Sequence, residues 1–137
     1  MKCIYKNNIS ELNKLAEDIK IFGRKYAIAY EDLYNINLCI DEVLTNIIYY
    51  GYEDHQPHSI EIELIALQNS IEIIIRDNGK PFNPLREAIP PKINVCLEER
   101  QEGGLGIYFV KQLMDALSYH REGDYNILKM TKYHTSK

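Results

Sequence analysis

Glu42 and Asn46 stand four residues apart in "DEVLTNIIYYGY", so on a helix they share one face, one turn apart. A carboxylate so placed can take a proton from a hydroxyl or water. An amide oxygen can be one hard-oxygen ligand of Mg²⁺, which keeps most of its waters and takes phosphate for the rest. The same spacing also suits a solvated pair that decorates the helix. In "DNGKPFNP", Asp77 ends a strand-like run and can accept a hydrogen bond from an exocyclic amino group such as that of adenine. Gly79 would let the backbone approach a flat ring, and Phe82 can supply a wall. A plain surface turn is the alternative. In "EGGLGIYFVKQL", glycines lead straight into an amphipathic helix, whose free N–H groups and dipole suit a phosphate. The stretch lacks the ending of a P-loop and does not fit the dinucleotide fingerprint, and a glycine hinge reads equally well.

The elements that must hold these groups follow from periodicity. Lys2 to Lys6 is a candidate edge strand. Ile9 to about Ala29 reads as a helix with Ser10 as its N-cap and Leu12, Leu15, Ile19 and Phe22 at helical spacing. Gly23 either breaks this helix or is tolerated within it. A second helix from about Glu31 to Tyr50 buries Ile36, Ile40, Val43 and Ile47, with Gly51 as a C′ glycine. Ser59 to Leu67 and Ile71 to Asp77 alternate as paired strands. Asn78-Gly79 is a strong hairpin signal, yet Pro81 and Pro84 deny a following strand. A third helix starts near Gly104, and a hairpin turning at Glu122-Gly123-Asp124 closes the chain. The order β-α-α-β-β-loop-α-β-β predicts an α+β two-layer sandwich: a mainly antiparallel mixed sheet with about three helices on one face.

Composition narrows the partners. At 137 residues the chain fits a single domain over 1–137, and its formal net charge of -4 argues against a general nucleic-acid surface. No apolar run approaches 18 residues and no signal-peptide core is visible, so the expectation is a cytoplasmic protein without a membrane span. Cys3, Cys39 and Cys96 are odd in number and far apart, which suits reduced thiols. His55 and His58 lie in a proline-containing turn, read as solvated rather than metal-binding.

Each group alone is weak, but their order and spacing carry more. "IDEVLTNIIYYGY", "RDNGKPFNP" and "GGLGIYFVKQLMDALSYHR" resemble the anti-sigma factor serine kinase branch of the gyrase, heat-shock chaperone, histidine kinase and mismatch-repair superfamily, whose ATP-binding domain has the Bergerat-type fold. The likeness runs from about residue 10 to 133. It implies that Glu42 is the general base toward a serine hydroxyl and that Asn46 ligates Mg²⁺. It further implies that Asp77 reads adenine, with Gly79 giving the ring room, and that Gly104, Leu105 and Gly106 present N–H groups to the phosphates. Residues 83–103 would form the ATP lid, with Arg100 a cation near the γ-phosphate. The implied cofactors are ATP and Mg²⁺. The implied partners are an anti-anti-sigma protein that receives the phosphate and, as in many members, a sigma factor held inactive. Separately, the amino-terminal edge strand and first helix offer a surface for the expected homodimer.

Some positions depart from that family pattern. Tyr50 stands where many members carry histidine. Tyr125-Asn126 stand where the closing hairpin often has Gly-Thr, which puts a threonine contact to the nucleotide in doubt. The first helix has no arginine before Arg24, leaving lysines such as Lys14 for partner docking. A reading of another class is a nucleotide-gated module that sequesters a regulator and transfers no phosphate. ATP hydrolysis driving a conformational clock is a weaker third, because no transducer domain is present.

Overall fold

A computed structural model describes residues 1–83 and 104–135. Among these residues, five strands and three α-helices follow the expected order: β1 (Lys2–Lys6), α1 (Leu12–Lys25), α2 (Tyr30–Tyr50), β2 (Ser59–Ala66), β3 (Ser70–Asp77), α3 (Gly104–Leu113), β4 (Ala116–Glu122) and β5 (Tyr125–Tyr133). The strands pair in the order β1-β2-β3-β5-β4, and every pairing among them is antiparallel.

Alternation decides which side of the sheet is dry. Ile60, Ile62 and Leu64, Ile71, Ile73 and Ile75, and Leu128 and Met130 all point to the buried face. Across the strands these residues form rows. Ile62 faces Ile75, which faces Leu128, and Leu64 faces Ile73, which faces Met130. Leu15, Ile19 and Phe22 of α1, Ile36, Ile40, Val43 and Leu44 of α2, and Val110 of α3 with Met114 just beyond it complete the core. Each such side chain contributes roughly 1.5–3 kcal/mol when buried. The opposite face carries ion pairs, Lys129–Glu72 at 3.2 Å and Lys2–Glu61 at 3.8 Å, beside half-buried Ile74 and Ile127.

The ends of the first two helices differ from expectation. Ser10 is not the cap. Asn8 Oδ1 accepts from the Ser10 amide at 3.0 Å and starts a 3₁₀ turn over Ile9–Glu11, after which α1 begins at Leu12. Nor does α1 reach Ala29. Ala27 adopts a left-handed φ of 52°, and the Ile28 amide donates back to the Gly23 carbonyl at 3.0 Å, a Schellman closure with alanine where glycine is usual. Gly23 is tolerated inside α1, because Leu33 of α2 packs where a Cβ would stand, 2.5 Å from Cδ2. Gly51 caps α2 in the right-handed region (φ −78°), not as a left-handed C′ residue.

Candidate functional site

The same alternation that buries Ile71, Ile73 and Ile75 carries Asp77 to the dry face, where it is 5% exposed. Asp77 faces Asn126, itself 5% exposed, and Asn126 faces Arg121, so the apolar rows of the sheet end in one polar row. Asp77 Oδ1 accepts from the Gly79 amide at 2.9 Å and from Asn126 Nδ2 at 3.0 Å. Oδ2 makes no hydrogen bond among the described residues. Desolvation raises the carboxyl pKa, opposed by the hydrogen bonds from Asn126 and Gly79 and by the Arg121 charge.

The Asn-Gly turn after β3 is pinned to the end of α2. The Lys80 amide donates to the Gly51 carbonyl at 2.8 Å, and Arg121 Nη1 donates to the Gly79 carbonyl at 2.7 Å. A Cβ on Gly79 would lie 2.7 Å from that Gly51 carbonyl oxygen and 3.0 Å from Asp77 Oδ1. The glycine therefore answers first to close backbone packing, a neighbour that was not expected of it.

Back along α2 from this junction stand Asn46, 8% exposed, and, a turn further, the half-buried Glu42. Asn46 Nδ2 donates to the Glu42 backbone carbonyl at 2.7 Å. With the nitrogen committed, Oδ1 is the atom the amide has left to offer a cation. Asp41, beside Glu42, has its carboxyl pushed up to about 6 by burial and then by the Glu42 charge. Gly104, Leu105 and Gly106 form the first turn of α3, and α3 packs against α2. Phe82 lies half-buried in the chain leaving the turn. Arg100 and residues 84–103 of the expected lid lie outside the described residues.

Two positions carry more of the site than expected. Asn126 departs from the family pattern, and its amide donates to Asp77. Tyr119 donates its hydroxyl to Asn126 Oδ1 at 2.5 Å. The two-residue turn at Gly123-Asp124 sets the β4–β5 register that puts Asn126 opposite Arg121, but its place opposite Asp77 comes from the β3–β5 pairing, which no local turn signals. On the other side, burial and then the charge of Asp77 raise the Tyr52 pKa. The Tyr52 ring stacks on His58 at 4.1 Å, and His58 Nε2 lies 2.8 Å from Asp54 Oδ2. Among the described residues, no helix is long and apolar enough to cross a membrane.

Residues 6–132 match the model of the histidine kinase-like ATPase domain. The serine/threonine-protein kinase BtrW of Bordetella bronchiseptica is 31% identical over 100 residues, covering 73% of this chain and 70% of that protein. The serine-protein kinase RsbW of Bacillus cereus is 33% identical over 114 residues, covering 81% and 70%. Among solved structures, the histidine kinase domain of the blue-light activated histidine kinase EL346 of Erythrobacter litoralis has the same fold. It gives a TM-score of 0.53 at 19% identity, with 90% of this chain matching 59% of that one. The longer EL346 structure gives 0.55 at 20% identity, and there the chain spans only 40% of the length. The chain belongs to the histidine kinase-like ATPase domain family, and the fold class and family expected from its motifs agree with that membership.

Proposed function

We propose that this member of the histidine kinase-like ATPase domain family is an ATP- and Mg²⁺-dependent protein-serine kinase of the anti-sigma type. In this reading it phosphorylates a serine on an anti-anti-sigma partner and holds a sigma factor inactive in a partner-switching circuit. The observation that carries the reading is Asp77: a buried carboxylate whose Oδ1 takes two hydrogen bonds and whose Oδ2 takes none among the described residues, at the turn pinned to the helix that bears Glu42 and Asn46. An anion kept dry with an open oxygen suits a ligand that donates an N–H, as the adenine amino group does. The names of the relatives, serine-protein kinases, support the choice of acceptor.

The remaining roles follow from chemistry. Bound ATP supplies the phosphoryl group, and Mg²⁺ offsets the charge of its oxygens. Asn46 Oδ1 is the proposed ligand for the cation, and the backbone N–H groups of Gly104, Leu105 and Gly106 are proposed to receive phosphate oxygens. Phe82 is the proposed wall beside the base, and Arg100 the proposed cation near the γ-phosphate. Glu42 takes the proton from the serine hydroxyl while its oxygen bonds to the γ-phosphorus and the bond from that phosphorus to the ADP oxygen breaks. A homodimer is proposed through β1, the sheet edge on which Ile4 is exposed.

The test incubates the chain with [γ-³²P]ATP, Mg²⁺ and a single-serine anti-anti-sigma protein encoded beside it. Label on the partner is expected, with Glu42→Gln lowering the rate roughly 10²–10⁴-fold while leaving ATP affinity within about threefold. ATP-dependent complex formation with no phosphoserine by intact mass would replace the kinase with a nucleotide-gated binding module. Equal phosphorylation by Glu42→Gln would remove the assigned base.

A further inference from the structure

The polar row that ends the sheet does more than bury Asp77. Asn126 Nδ2 donates to Asp77 Oδ1 at 3.0 Å and to the Lys80 carbonyl at 3.0 Å, with the Gly79 carbonyl at 3.4 Å. Its other end is fixed by Tyr119, whose hydroxyl donates to Oδ1 at 2.5 Å. An amide has one donor end and one acceptor end. Tyr119 holds the acceptor end, so the donor end must face Asp77. With the Gly79 amide also on Oδ1, the carboxylate is held in one rotamer, and among the described residues only Oδ2 is open.

We propose that Tyr119 and Asn126 are positioning residues that hold Asp77 as an acceptor-only group, so that the site selects a 6-aminopurine nucleotide over a 6-oxopurine one. The inference rests on the nucleotide-site reading above. It differs from a role for residue 126 in touching the base, because the amide nitrogen is already engaged with Asp77 and the turn carbonyls.

The physical basis is the state of a dry carboxyl. An ionised carboxylate only accepts, and repels a 6-oxo oxygen. A protonated one can donate to that oxygen, and selection collapses. Burial favours the protonated form, and the Asn126 amide opposes it. The other ionisable groups that face Asp77 are Arg121 from β4 and Tyr52 from the segment after α2.

The experiment uses the full chain with Mg²⁺, displacing a fluorescent ATP analogue with ATP or ITP. Wild type is expected to prefer ATP by about 100-fold, the scale of one hydrogen bond to a charged group with its alternative left unpaired. Asn126→Leu should lower that ratio roughly tenfold, and Tyr119→Phe about threefold, with ITP affinity rising as ATP affinity falls. Tyr119→Phe removes one oxygen atom and guards against misfolding of the other variant. Folded variants that keep the wild-type ratio overturn the positioning role and leave the nucleotide site intact. Wild type that binds neither nucleotide overturns the site reading and this inference with it.

Discussion

Replacing Asp77 with asparagine should weaken nucleotide binding and stabilise the empty protein at once. Two donors converge on Oδ1, the Gly79 amide at 2.9 Å and Asn126 Nδ2 at 3.0 Å. An asparagine at 77 must keep its oxygen at that point, so its nitrogen takes the place of Oδ2. A donor then meets the donating amino group of the base. The loss is one hydrogen bond to a charged group, about 1.5–3 kcal/mol. That converts to an ATP affinity roughly 10- to 150-fold weaker. The folded-state pKa of Asp77 is raised, so the stability tied to its protonated form is present at low pH and lost as pH rises through that pKa. At pH 8 the variant escapes the desolvation penalty and should be more stable by about 1 kcal/mol. Fluorescence titration with an ATP analogue and urea unfolding at pH 8 read the two effects. Unchanged ATP affinity would remove Asp77 from the base, and a less stable variant would show that the carboxylate is not buried at a cost.

Three further substitutions test separate parts of the structure. Asp41, raised from the ordinary carboxylate range to about 6, favours the fold when protonated, a contribution present below about pH 4 and lost as pH rises through 6. Asp41→Asn should be more stable than wild type by about 1 kcal/mol at pH 8, a figure reduced from the full shift because the side chain is partly in water. The gap should close near pH 4, and a pH-independent gap in urea midpoints would refute the cause. Gly79→Ala forces a Cβ to within 2.7 Å of the Gly51 carbonyl, a backbone atom that cannot rotate away. A loss of about 1–3 kcal/mol is expected, together with ATP affinity, and full retention of both would show that the turn is free to move. Ala27→Gly relieves a left-handed φ of 52° at the end of α1 and should stabilise by about 0.5 kcal/mol. The relief is about 1–2 kcal/mol, less what glycine gains in the unfolded chain. Thermal unfolding reads this change, and a lower midpoint would count against strain at Ala27.

Periodicity is a property of the chain, which is why the layers, the strand order along the sequence and the inward positions were legible. Ile71, Ile73 and Ile75 mark the dry face by type and spacing, and Asp77 inherits its side from them. Helix ends depended on contacts that no local pattern records. Ala27 ends α1 in a conformation that alanine does not advertise, so the reading ran on to Ala29. Ser10 is a good cap residue by type, but Asn8 sits two residues earlier in extended backbone and takes the amide. Gly79 is expected to give a ring room, and its nearest neighbour in the fold is the carbonyl of Gly51, twenty-eight positions earlier in the chain. Asn126 was flagged against a family pattern, but only the β3–β5 register shows that it faces Asp77.

That register explains how one sheet can be both a core and a site. A strand that alternates isoleucines with polar residues has no local reason to stop being apolar at position 77. Asp77 is the last residue of β3, Asn126 is the second of β5, and Arg121 is the sixth of β4, so three strands turn polar on the same row. The row meets the carboxyl end of α2 through the Gly51 carbonyl. A charge one row deeper would face Ile62 and Leu128, with no backbone amide in reach and no route to a ligand. A charge one row outward would stand in water and discriminate weakly between an amino and an oxo group. The boundary row is where a carboxylate can be dry enough to be selective and still be held by a turn amide, a side-chain amide and a nearby guanidinium. On the proposed reading, residual instability of the unliganded site is the condition for its selectivity, which is why Asp77→Asn should move stability and binding in opposite directions.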